Sequence, residues 1–155
     1  MIVLSLLFCQ CAFAQEGTVQ TKTEGARKFC AWIEKEGKYA IMKVDDNGTV
    51  EGVHVLITDA EGNRPKEAIV IFQMGSNGVT ITMNVCPLPD TSEAYKIIND
   101  ANVAAQFAVY RIATGRLTAI YMPAKDAANV EDITHWSFNC FVEDVYRIMD
   151  TLDAA

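Results

Sequence analysis

The chain has 155 residues, half of them apolar and 21% charged, with nine Gly, four Pro and five Cys, the profile of one globular domain rather than a disordered, collagen-like or multi-domain protein. Thirteen Lys and Arg stand against twenty Asp and Glu, a net charge of −7. Polyanions are bound through clustered positive charge, so this balance excludes nucleic acid as an expected partner.

The chain opens on a processing signal. Residues 1–14, MIVLSLLFCQCAFA, carry no charged side chain and end in Ala12-Phe13-Ala14, a small-x-small pattern of the kind cleaved by signal peptidase, here before Gln15. They predict a secretory signal peptide, a flexible mature N-terminus over 15–20, and a periplasmic or secreted domain over 21–153. The apolar block is shorter than the ~20 residues of a membrane-spanning helix, so no stable membrane insertion is expected once the leader is removed. Cys9 and Cys11 belong to the leader, leaving Cys30, Cys86 and Cys140, each in an apolar run. These read as buried thiols acting as small hydrophobes, with a Cys30–Cys140 disulfide as the alternative in an oxidising compartment. There is no CxxC in the mature chain, and the histidines, His54 and His135, are far apart in sequence.

The elements follow in order. Residues 21–37 place Ala26, Phe29, Cys30 and Ile33 at helical spacing, with Thr21 or Thr23 as N-cap and Gly37 as the stop. Residues 39–44 and 49–57, rich in β-branched and aromatic side chains, flank Asp46-Asn47-Gly48 and predict an antiparallel hairpin. A polar connection over 59–66 leads to a third strand at 67–74, and Gly75-Ser76-Asn77-Gly78 turns the chain into a fourth at 79–86. Pro87 and Pro89 end that strand, and Asp90, Thr91 or Ser92 can cap a helix over 92–105. Residues 107–113 and 117–122 predict two more strands around Thr114-Gly115-Arg116, closed by Pro123. Asn129 and Asp132 form a capping-box-like pair before a long final helix whose stripe is Val130, Ile133, Phe141, Val145, Ile148 and Leu152. Trp136, Phe138, Val142 and Met149 fall off the stripe, so this helix is expected to meet a second surface besides the sheet.

The order α-β-β-β-β-α-β-β-α predicts a single α+β domain with an antiparallel sheet of five to six strands and helices packed on it. Doubly wound nucleotide-binding folds are thereby disfavoured.

Residues 87–152 carry a recognisable pattern. A proline-bounded strand end (CPLP, 86–89), a helix ending Ile98-Asn99-Asp100-Ala101-Asn102, the aromatic Phe107, a Gly115 hairpin and a long last helix resemble the YbjN-like proteins, a bacterial group similar in fold to type III secretion chaperones. The resemblance spans about residues 22–152. It implies a curved antiparallel sheet with the first and last helices on one face and the middle helix near a dimer interface. It also implies a non-enzymatic role, of the kind labelled a sensory-transduction regulator, in which a partner polypeptide is held.

Each candidate site has a simpler structural explanation. Asn99 and Asn102 suit a helix end, where Asn competes for main-chain hydrogen bonds. Ser76 lies between two strands, not on the strand-to-helix elbow of a nucleophile. Asp45-Asp46-Asn47-Gly48 lacks the spacing of a calcium loop, and Asn47-Gly48-Thr49 is formally a glycosylation sequon. His54 alternates with Val53 and Val55 and therefore faces away from them. His135 is one turn from Asp132 and Asn139, at contact spacing on a helix. Glu131, Asp132, Glu143, Asp144 and Asp150 make the last helix acidic, while Lys22, Arg27, Lys28, Lys35 and Lys38 make the first basic, which reads chiefly as two solvated faces.

The expectation is a non-enzymatic, secreted or periplasmic binding or regulatory module that contacts a polypeptide partner or forms a homodimer, without cofactor or metal. Exposed aromatics of the last helix, Trp136 or Phe138, would mark the interface. The competing expectation is a small hydrolase or ligand-binding enzyme whose site draws together His54, Asp59 and His135, which requires them to share one pocket.

Overall fold

The computed structural model describes residues 20–123 and 130–154. The predicted leader over 1–14, the predicted capping residue Asn129 and the side chains of Val130, Glu131, Asp132 and Ile133 lie outside the described residues. The order is α1 (Glu24–Glu36), β1 (Ala40–Asp46), β2 (Val50–Ile57), β3 (Lys66–Gln73), β4 (Val79–Pro87), α2 (Ser92–Ala104), β5 (Val109–Ala113), β6 (Arg116–Tyr121) and α3 (Val130–Asp153). The class is α+β, as the alternation of hairpins and helices predicts. All four strands before α2 are full members of one six-stranded antiparallel sheet ordered β1-β2-β3-β4-β6-β5.

Local chemistry accounts for the boundaries. Thr23 caps α1 by accepting from the Ala26 N–H at 3.2 Å, and Gly37 ends it at φ 65°, a left-handed conformation that costs a glycine little. Thr91 does the same for α2, accepting from the Ala94 N–H. In the first hairpin the Asn47 side chain accepts from the Thr49 and Val50 N–H groups, and Gly48 sits at φ 85°. Ser76 is turn chemistry too: its hydroxyl donates to Gln73 and accepts from the Gly78 N–H.

Strand alternation divides the sheet into a covered and an uncovered side. Val53, Val55 and Ile57 of β2, Ala68, Val70 and Phe72 of β3, Ile81, Met83 and Val85 of β4, and Leu117 and Ala119 of β6 are buried under the helices. Phe29 from α1 and Phe138 and Phe141 from α3 are fully buried among them. Each such side chain stabilises the fold by roughly 1.5–3 kcal/mol through removal of apolar surface from water. α3 meets two surfaces, as its broad apolar face requires: Phe138 packs edge-on against Phe29, Trp32 and Tyr39 as well as lying in the core beneath. Phe138 is therefore core, and the expectation that it marks an interface is corrected; Val142 and Met149 are buried with it.

On the other side, register aligns Lys43, His54, Ile69, Thr82, Ile120 and Val109 in one row across all six strands. No described helix covers this row, and Val109 at its end is 62% exposed. No described helix is long and apolar enough to cross a membrane.

Candidate functional site

Two buried carboxylates hold the layers together. Glu51 is in phase with Val53, Val55 and Ile57, so it points under the helices, where it is 1% exposed. Its oxygens accept from the Lys22 N–H at 2.6 Å, the Thr23 N–H at 2.8 Å and the Thr23 hydroxyl at 2.7 Å, fixing the start of α1 to β2. Asp144 on α3 is 2% exposed. Its Oδ2 accepts from the N–H groups of Gln106, Phe107 and Ala108 at 3.0, 2.7 and 3.0 Å, while Oδ1 accepts from Arg147 Nη1 at 3.0 Å. Asp144 thus leaves the solvated acidic face predicted for it: burial is tolerated because every lone pair facing inward finds a donor. The segment 105–108 is a loop pinned by this carboxylate, which delays the opening of β5 from the predicted Phe107 to Val109.

Asn102 neither caps a helix nor stands free. Its side chain bonds both main-chain groups of Tyr110, the N–H at 2.7 Å and the carbonyl at 3.1 Å. Asn99 is exposed on α2.

The residues of the predicted enzyme pocket are not brought together. His54 lies on the uncovered side of the sheet, where Nε2 is 3.0 Å from Asp45 Oδ2 and Nδ1 contacts Glu67 Oε1. Each ring nitrogen of His54 thus faces a carboxylate, one from β1 and one from β3. His135 belongs to the helix layer on the opposite side, partly exposed and stacked on Trp32 of α1 with ring centres 4.7 Å apart and planes within 4°. Its predicted neighbour Asn139 instead accepts from the Tyr39 hydroxyl at 2.9 Å; the Asp132 side chain lies outside the described residues. Asp59 belongs to the β2–β3 loop, where it accepts from Arg64 Nε at 3.0 Å and from the Asn63 N–H at 2.6 Å. Arg64, itself at φ 48°, also pairs with Asp150 at 2.7 Å, and its carbonyl accepts from the Tyr146 hydroxyl, so this loop is tied to the end of α3. The sheet separates His54 from His135, and the constellation of three does not form.

Cys30, Cys86 and Cys140 are free thiols, and the alternative Cys30–Cys140 bridge is not made. Burial pushes the Cys30 thiol up to about 11, reinforced by the charges of Glu34 and Glu51.

Three surface features have the character of binding sites. The first is a groove of about 600 Å³ between the start of α1 and the β3–β4 hairpin, floored by Phe29, Phe72 and Val79. The second is a cavity of about 210 Å³ between α2 and α3, with Tyr110 in its wall. The Tyr110 hydroxyl is buried without a hydrogen-bond partner among the described residues, an arrangement that costs about 1–3 kcal/mol. The third is aromatic: Trp136 of α3 stands edge-on to Phe107 at 4.8 Å, and Phe107 edge-on to Tyr121 at 5.1 Å. Trp136 remains 60% exposed, and Met122, next to Tyr121, is 70% exposed. Trp136 is thus exposed as the sequence suggests, while Phe107 and Tyr121, which orient it, carry no such signal because three separate elements supply them.

Comparison of the chain with protein-family models and with curated proteins returns no match.

Proposed function

We propose that this chain is a non-enzymatic binding or regulatory module of the YbjN-like type, exported to the periplasm or beyond, that engages a polypeptide partner through the surface around Trp136. The observation that carries the proposal is the posture of Trp136, a large indole left mostly in water yet held by edge-on contact with Phe107. Protein–protein interfaces concentrate their binding energy in a few such aromatic anchors, and a ring already fixed loses little freedom on docking. Met122, next to Tyr121 in the chain, is a further large apolar side chain left exposed.

Both sheet edges argue for side-chain docking over strand addition. At β5 the Tyr110 main chain is occupied by Asn102 and the Ala108 N–H by Asp144. At β1 a bulge between Ile41 and Lys43 and the charges of Lys43, Asp45 and Asp46 blunt the edge.

A photo-crosslinking residue at position 136, expressed in cells, tests this. A discrete polypeptide adduct, displaced by excess wild-type protein but not by Trp136→Ser, supports the proposal. A mass twice that of the chain makes the partner a second copy. Absence of a displaceable adduct overturns it.

A further inference from the structure

The side of the sheet that no described helix covers is apolar at its centre. Ile69 and Ile71 of β3 alternate with the core residues Ala68, Val70 and Phe72, so they point away from the helices, and both are only half-buried. Ile120 of β6, next to the core residue Ala119, does the same. Val109 of β5 stands opposite Ile120, and Leu56 of β2 is 36% exposed on this side. Thr80 and Thr82 of β4 lie between the isoleucines of β3 and that of β6. An antiparallel sheet can leave one face to water, but that face then alternates to polar side chains; isoleucine at these positions calls for a second layer.

Charge is divided between the two halves of this face. The β1–β3 half carries the carboxylates of Asp45 and Glu67 with the ammonium of Lys43. The β6–β5 half carries the guanidiniums of Arg111 and Arg116, both exposed. A two-fold axis along the strands, between β3 and β4, lays the β1 half of one copy over the β5 half of another. The acidic half then meets the basic half on both sides of the axis, and the isoleucines meet at the centre. One patch complements itself, which is what an isologous interface requires. Six strands about 4.8 Å apart and about six residues long cover roughly 29 by 20 Å, so two such faces bury about 1,200 Å², above the ~1,000 Å² of a specific interface.

We propose that two copies of this chain associate through this face, sheet against sheet, with Ile69, Ile71 and Ile120 at the centre of the contact. α3, which carries Trp136, packs on the other side of the sheet, so the dimer leaves the surface around Trp136 open to a different partner. The two readings stand or fall separately.

Light scattering of the purified protein at rising concentration provides the test. A mass twice that of the chain is expected at micromolar concentration. Ile71→Glu places a charge in the apolar centre, and Arg111→Glu reverses one on an exposed side chain. Each is expected to return the mass of one chain where the wild type is dimeric, with the circular dichroism of the fold unchanged. Arg111→Lys, which keeps the charge, and Trp136→Ser, which alters only the other surface, are expected to remain dimers. The mass of one chain throughout the micromolar range overturns the proposal. It does so whether a soluble paramagnetic agent then finds the Ile69 and Ile120 methyl groups shielded, which would assign the face to residues 1–19, or open to solvent. A dimer that survives both Ile71→Glu and Arg111→Glu also overturns it.

Discussion

Asn102 stands to Tyr110 as a missing strand would: one amide side chain supplies the donor and the acceptor that a neighbouring residue of a seventh strand would have offered. At Tyr110 the edge of β5 is thereby closed from within the chain, by a residue of the helix that precedes it. An unpaired edge is a template for association.

Asn102→Ala is accordingly expected to do two things. Losing both bonds destabilises the protein by about 1–3 kcal/mol, read as a lower urea midpoint. The bared Tyr110 main chain also promotes self-association, read as a rise in light-scattering mass with concentration. Asn102→Asp keeps the acceptor and loses the donor, and is expected to fall between the two.

Asp144→Ala strands three N–H donors and one guanidinium at the α2–β5 loop. The expected loss is about 3–5 kcal/mol, since removing one partner of a buried charged group leaves the others uncompensated. Hydrogen exchange localises the effect: the amides of Gln106, Phe107 and Ala108 are expected to lose protection first. Equal loss of protection across the sheet would show that Asp144 does not act through that loop.

Acid is expected to weaken the fold. The hydrogen bond from Lys43 holds the Asp45 carboxyl below the usual range, and that from Lys22 does so for Asp46. Burial works against the charge of Asp59, but the bonds from Arg64 and the Asn63 N–H outweigh it and lower that group as well. A carboxyl whose folded value is depressed adds stability above its unfolded value, and that stability is lost as the pH falls through the folded one. The melting temperature is therefore expected to be level from neutrality to about pH 4 and to fall below it. Arg64→Ala is expected to flatten the part of the fall due to Asp59.

Cys30 is expected to resist thiol reagents in the folded state. With its thiol pushed up to about 11 by burial and by nearby carboxylates, almost none is ionised at pH 8, and the thiolate is the reactive form. Reaction with a disulfide reagent should report Cys30, Cys86 and Cys140 in urea and omit Cys30 in buffer. Native modification of Cys30 at the rate of a free thiol would contradict the placement.

Much of this architecture is written in the punctuation of the chain. Asn47-Gly48, Gly75 and Gly115 stand at turns whose left-handed backbone favours glycine, and Gly37 stops α1 for the same reason. The element order therefore follows from a single sequence, and strand boundaries shift by a residue or two. The polar fastenings are different. Glu51, Asp144 and Asn102 have the composition of surface residues, and most of their partners are main-chain groups, which every sequence possesses and none advertises. A signal was nonetheless present in phase: Glu51 is two residues from Val53 on the buried side of its strand, and Asp144 follows Phe141 by three and precedes Ile148 by four. The site residues fare likewise. Trp136 is conspicuous by type, whereas Phe107 and Tyr121 become its neighbours only when the chain closes on itself.

The bonds from Asp144 to residues 106–108 also set an order of events. A chain made or exported from its N-terminus presents Gln106, Phe107 and Ala108 some 36–38 residues before the carboxylate that receives them. Until α3 follows, the β5–β6 hairpin is fastened to α2 through the Asn102–Tyr110 bonds but lacks the fastening that Asp144 supplies. Helix α3 is thus what completes the middle of the chain: a nascent or truncated form lacking it exposes this half of the sheet to any holdase that meets it.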